Sequence, residues 1–166
     1  MNYVVGVLCP IGRWSPQIDS GEAMEGRLFL VLRNQLSELK RMSEAVSAWC
    51  QGNNISSTVE FHVNLALDEI ISNVIRYGWD DSGEHEFHVR LFLLNDEVRV
   101  EVEDDAKPFN PLKIPAPDLD KPLNDRPVGG LGIHLVRQVM EGLDYQRLHG
   151  KNLFIMKKKI SSEEHD

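Results

Sequence analysis

The sequence predicts an α/β chain: a two-layer sandwich of helices on one face of a mixed, mostly antiparallel sheet. Three observations carry that prediction. Apolar residues recur at helical spacing in "NQLSELKRMSEAVSAWC" and "NNISSTVEFHVNLALDEIISNVIRYG". They alternate with polar residues in Phe87, Val89, Leu91, Leu93 and again in Val98, Val100, Val102. The resulting order of strand, helix, helix, strand, strand, loop, helix, strand, strand places helices on one side of a sheet.

Taken in order, the first 25 residues hold a short strand from Tyr3 to Leu8, after which Pro10, Gly12, Pro16 and Gly21 break any regular pattern. Residues 1–26 are expected to be an appendage, 27–160 the domain itself and 161–166 a polar tail. "RLFLVL" from Arg27 reads as a strand. Leu36, Leu39, Met42, Val46 and Trp49 then share a helix face, and Gly52 stops that helix. A second, longer helix begins behind Ser or Thr caps and closes at Gly78. The alternating segments that follow form a hairpin with its turn at Asn95 and Asp96. Between Pro108 and Pro127 lie six of the chain's eight prolines. A loop of that length inside a domain calls for a purpose, and covering a ligand is a common one. "GIHLVRQVMEG" is a third helix, expected to stop at Gly142, and "LDYQRLHGKNLFIMKKKI" a closing hairpin that turns at Gly150.

Bulk properties exclude several classes of function. The 166 residues allow one ordinary core. With 18 basic against 26 acidic residues the net charge is −8, which argues against nucleic acid or anionic lipid as a partner. Lys157, Lys158 and Lys159 read as the solvated edge of a last strand. Cys9 and Cys50 lack metal-ligand spacing and are too few for a disulfide framework. No apolar run approaches the roughly 20 residues that span a bilayer, and no signal-peptide pattern is present. A cytoplasmic location with no membrane partner is expected.

Three stretches carry chemistry. On a wheel of about 100° per residue, the second helix turns Val63, Leu67, Ile70 and Val74 inward and Asp68 and Ser72 outward. His62, Glu69, Asn73 and Arg76 line one flank. Glu69 and Asn73, four residues apart, are neighbours; an amide oxygen beside a carboxylate suits a hard cation such as Mg²⁺ shared with phosphates, and the carboxylate suits proton acceptance. Taken alone, this helix is more simply a structural flank, with Glu69 paired to Arg76 or His62 and Asn73 capping a loop. In "VRVEVEDDAKPFNP" a strand runs into Asp104 and Asp105, where a carboxylate can accept hydrogen bonds from an exocyclic amine or simply form a turn. "RPVGGLGIHLV" brings Gly129, Gly130 and Gly132 to a helix start, either a phosphate cradle or a flexible hinge. His85, His88 and His134, and Trp14, Trp49 and Trp79, show no site pattern.

With these stretches in this order, the sequence resembles the GHKL superfamily of ATP-binding domains, specifically the anti-sigma regulatory factor type of serine/threonine protein kinase. "LALDEIISNVIRYG" is similar to its N box, "VEDDAKPFNP" to its first glycine box and "VGGLGIHLV" to its second, and the resemblance spans roughly Arg27 to Ile160. It implies the Bergerat-type fold, ATP and Mg²⁺. Asn73 would be the metal ligand, Glu69 the general base and Asp104 the acceptor of the adenine amine. Ala106 stands where the first box has glycine, Gly129, Gly130 and Gly132 would cradle phosphate, and Arg76 belongs with the nucleotide-binding residues. It also implies a STAS-type antagonist protein as phosphoacceptor, a sigma factor or other regulatory target, and a homodimer. The closing strand, "GKNLFIMK", lacks the Thr often found after its glycine. A nucleotide- or partner-binding module without phosphoryl transfer, and an ATP hydrolase, are the alternatives.

Overall fold

The computed structural model describes Val7–Leu8, Trp14–Ser15, residues 26–115 and residues 130–160. Within it, β1 (Val7–Leu8) and β2 (Trp14–Ser15) pair as a short antiparallel ribbon. Residues 3–6 of the expected first strand lie outside the described residues. The main sheet comprises β3 (Arg27–Arg33), β4 (Glu86–Leu94), β5 (Glu97–Asp104), β6 (Gly142–Leu148) and β7 (Lys151–Lys159). Their spatial order is β3-β4-β5-β7-β6. Every pairing is antiparallel, so the expected mostly antiparallel sheet is antiparallel throughout its described strands.

Turn chemistry makes two of these pairings. Asn95, with φ 53°, turns β4 into β5. His149 at 52° and Gly150 at 81° follow one another in the left-handed region between β6 and β7, the backbone of a two-residue turn whose twist matches the strands it joins.

Alternation then decides the faces. Leu30, Leu32, Phe87, Val89, Leu91, Val98, Val100, Val102, Phe154 and Met156 point under the helices and are buried. That face is covered by α1 (Glu38–Gly52), α2 (Ser57–Tyr77) and α3 (Gly130–Val139), with α2 touching α1 and α3. Ser56 Oγ accepts the Val59 N–H at 3.3 Å and so caps α2. Val59, Val63, Ala66, Leu67, Ile70 and Ile71 of α2 are buried. Each large one contributes on the order of 1.5–3 kcal/mol, so tertiary packing outweighs the weak helix propensity of the β-branched residues among them. From α1, Met42, Ala45, Val46, Trp49 and Cys50 complete the core. Burial, helped by the charge of Glu60, pushes the Cys50 thiol up to about 12. No helix among the described residues is long and apolar enough to cross a membrane.

The opposite face of the sheet is laced with ion pairs. Glu103 meets His88 at 3.6 Å, Arg90 at 2.7 Å and Lys151 at 2.9 Å. His88, then Lys151 and Arg90, hold its carboxyl far below the usual range against the opposing effect of burial.

Three local expectations change. Leu36 lies before α1 and is 49% exposed, because the chain is still turning there: Glu38 N–H donates to Gln35 O at 3.0 Å. Ser72 is half-buried rather than directed to solvent. Gly142 does not stop α3, which ends at Val139; Glu141 N–H already reaches Lys157 O at 3.0 Å, and Gly142 opens β6.

Candidate functional site

The last turns of α2, the end of β5, the middle of β6 and the start of β7 leave a cleft between helix and sheet. From α2 and its cap come Ile70, Asn73, Val74, Tyr77 and Gly78; from β5 and the segment after it Val102, Asp104, Ala106, Lys107, Phe109 and Pro111; from β6 and β7 Tyr145, Asn152 and Phe154. The cleft is open on one side, and the empty space within it and at its mouth together amounts to about 520 Å³. Its walls are mostly apolar, with a few polar groups placed to orient a ligand.

The floor is a stitch between α2 and β5. Lys107 N–H donates to Gly78 O at 2.9 Å. Gly78 keeps an ordinary right-handed φ of −68°, so it needs glycine for room: a Cβ there would lie 2.5 Å from Val74 O and 3.0 Å from the Ala106 Cβ. Ala106 is not among the residues with positive φ and is buried. A methyl group where the resembled box has glycine therefore costs no backbone strain.

Asp104 is the polar centre, 7% exposed at the end of β5. Its Oδ1 accepts the Ala106 N–H at 2.9 Å and Asn152 Nδ2 at 2.7 Å. Its Oδ2 has no hydrogen bond among the described residues, and the residue lines the cleft. Burial pushes the carboxyl above the usual carboxylate range; the Asn152 and Ala106 hydrogen bonds pull it down, Asp105 adds to the rise and Arg147 opposes it.

Asn152 is the residue that sequence reasoning missed. Its Nδ2 donates to Asp104 and, at 3.0 Å, to Lys107 O, while its Oδ1 accepts from Tyr145 Oη at 2.7 Å and Arg147 Nη1 at 2.6 Å. Arg147 only donates, so it dictates which way the amide points. With both lone pairs and both N–H groups engaged, Asn152 orients Asp104 rather than offering itself to a ligand. Its signal lay in the alternation of β7, where Asn152 heads an inward row otherwise made of Phe154 and Met156.

The other predicted residues divide. Asn73 lines the cleft with Asp104 and Ala106. Glu69, one turn earlier and half-buried, lies against Gly132 of α3. Among the described residues no hydrogen bond or ion pair joins Glu69 to Arg76 or His62. Arg76 is exposed and outside the cleft. Gly130 is the first residue of α3, and Gly129 lies outside the described residues.

Two further contacts frame the cleft. Arg137 of α3 donates to the carbonyls of Leu112 and Ile114, each at 2.9 Å, and ties the short 3-10 turn Pro111–Lys113 to that helix. Trp79 stacks on His85 with ring centroids 4.6 Å apart and donates its indole N–H to Asp105 at 3.1 Å, bracing the segment after α2. The two rings, which show no site pattern in the sequence, are thus structural partners.

Three helices on one face of an open antiparallel sheet, with a cleft at the end of the middle helix and a buried carboxylate at its base, define a GHKL-type domain. The chain belongs to the histidine kinase-like ATPase domain family, whose model matches residues 32–158. It is 29% identical over 97 residues to the serine/threonine-protein kinase BtrW of Bordetella bronchiseptica, covering 58% of this chain and 68% of that one. To the serine-protein kinase RsbW of Bacillus mycoides it is 25% identical over 107 residues, covering 61% of this chain and only 64% of the relative. Among solved structures, the RsbU and RsbW domains of Rv1364c from Mycobacterium tuberculosis match with a TM-score of 0.60 at 12% identity, over 82% of this chain and 33% of that one. The blue-light activated histidine kinase of Erythrobacter litoralis EL346 matches at 0.52 and 18% identity, over 76% and 42%. These structural likenesses concern the fold.

Proposed function

We propose that the chain is an ATP-dependent serine/threonine protein kinase of the anti-sigma regulatory type, binding a sigma factor or similar target and phosphorylating a STAS-type antagonist. The observation that carries this reading is Asp104, with Oδ1 fixed by Asn152 and Ala106 and Oδ2 left for the cleft. An acceptor so placed suits the 6-amino group of adenine. The kinase names of the two relatives support the transfer reaction. The unstrained backbone of Ala106 removes the main reason to prefer a module that binds without transferring phosphate.

In this reading Asn73 would hold Mg²⁺ through its side-chain oxygen, and the ion would supply charge neutralisation to the phosphates. Gly129, Gly130 and Gly132 let the start of α3 approach the phosphates. The acceptor hydroxyl oxygen bonds to the γ-phosphorus as the bond to the β–γ bridging oxygen breaks; ADP leaves with that electron pair, and Glu69 takes the hydroxyl proton. The experiment is calorimetric titration of ATP with Mg²⁺, with and without EDTA, on wild type and Asn73→Ala. Magnesium-dependent binding should weaken at least about tenfold in the variant, the loss of roughly one charge-assisted contact. Binding indifferent to both EDTA and the substitution would take the phosphate site off α2.

Asp104 gives the reading a pH signature. As pH falls through its pKa, which burial lifts above the usual value of roughly 3.9, a proton on Oδ2 turns the atom that faces the cleft from a carboxylate acceptor into a hydroxyl donor. Affinity for adenosine, a probe with no phosphate to titrate, should therefore fall toward acid. The empty protein has the opposite sign: with the folded pKa above the unfolded one, the contribution of Asp104 to stability is present below the unfolded pKa and lost as pH rises through the folded one. Adenosine titrations from neutral pH down to the acid limit of folding, on wild type and Asp104→Asn, test this. The variant should bind weakly at every pH; an equally flat wild-type profile would remove Asp104 from base recognition.

A further inference from the structure

Gly132 occupies a position that backbone geometry does not reserve for glycine. It lies within α3, where alanine is favoured by about 0.5–1 kcal/mol, and it is not among the glycines with positive φ. What excludes a side chain is Glu69. A Cβ on Gly132 would overlap Glu69 Oε2 and lie 2.9 Å from Cδ and 3.5 Å from Cγ. The carboxylate of a half-buried residue on α2 thus rests in the space that a methyl group on α3 would fill. Because that carboxylate ends a flexible side chain, an added methyl would displace it without breaking either helix.

We propose that Gly132 is a positioning residue, a seat that holds the Glu69 carboxylate against the first turn of α3 and so sets where the base points. The inference rests on the reading of Glu69 as base given above. It also links two elements: Asn73 follows Glu69 by one turn of α2, while the seat belongs to α3, so the start of α3 cannot shift without moving or freeing the base. Gly132 then has a steric duty toward a side chain of its own protein, separate from any approach to phosphate.

The test is a double-substitution cycle of Gly132→Ala and Glu69→Ala, read first by thermal unfolding of the nucleotide-free chain. In the Glu69→Ala background, Gly132→Ala should raise Tm by about 2–3 °C, the unopposed gain in helix formation. With Glu69 present, that gain should vanish. Kinetically, Gly132→Ala alone should lower kcat at least about tenfold, whereas in the Glu69→Ala background it should lower kcat little further, as expected when both substitutions remove the same transition-state group. Equal Tm gains in both backgrounds, or wild-type kcat in Gly132→Ala, would overturn the seat. Wild-type transfer by Glu69→Ala would instead overturn Glu69 as the base, whereas the Tm cycle needs no activity and decides the seat by itself.

Discussion

Glu69→Ala protein should bind ATP as the wild type does and transfer phosphate about 10²–10⁴-fold more slowly, the usual contribution of a positioned general base. Binding should survive because the proposed base-reading group, Asp104, and the proposed metal ligand, Asn73, both line the cleft, whereas Glu69 lies against α3. Glu69→Gln sharpens the experiment. Glutamine retains the size that packs on Gly132 but has almost no affinity for a proton, so it should be as slow as alanine while keeping the contact between helices. Single-turnover transfer from labelled ATP to a STAS-domain protein gives the rate free of product release. A Glu69→Gln variant that transfers normally would assign the proton to another acceptor.

The second large effect belongs to Asn152. Asn152→Leu keeps the branched shape, with bulkier ends, but leaves Asp104 Oδ1 short of one donor and Tyr145 Oη and Lys107 O without the amide, while Arg147 Nη1 retains only Ala106 O at 3.1 Å. Unpaired buried polar groups cost about 1–3 kcal/mol each, and some of these can turn to water, so a total of about 3–4 kcal/mol is expected. In a domain of this size that corresponds to a fall in Tm of roughly 6–15 °C. Adenosine binding should weaken as well, since Asp104 loses the amide that fixes its plane. Asn152→Thr, small enough to admit a water that bridges its hydroxyl to Asp104, should lose less of both. A loss under about 1 kcal/mol in Asn152→Leu, measured by chemical denaturation, would mean that water replaces the amide and that the network does not hold Asp104.

The legibility of the sequence follows the range of the interactions. Helix α2 was readable from 3.6-residue spacing, and Asn73 and Asp104 from polar groups at the margin of a regular pattern, because these signals are local. Asn152 was not readable, because its meaning depends on pairing with Asp104 across β5 and β7. The Glu69 and Gly132 contact is likewise set by how α2 meets α3, which no window of sequence contains. Leu36 and Gly142 were misread for a smaller reason. Periodicity extends as easily across a turn as along a helix, and only the hydrogen bonds at residues 35–38 and 141 show where the helix ends. Arg76 shares its flank with Asn73 by sequence spacing, yet it projects to solvent beyond the cleft.

Cys50, buried on the inner face of α1, has its thiol pushed up to about 12 and stays protonated through neutral pH. A thiolate forms there only when α1 lifts away. The reaction of this thiol with a disulfide reagent is therefore a clock built into the core. Its rate counts openings of the first helix, and a ligand that clamps the domain slows it by the factor through which that ligand stabilises the closed form.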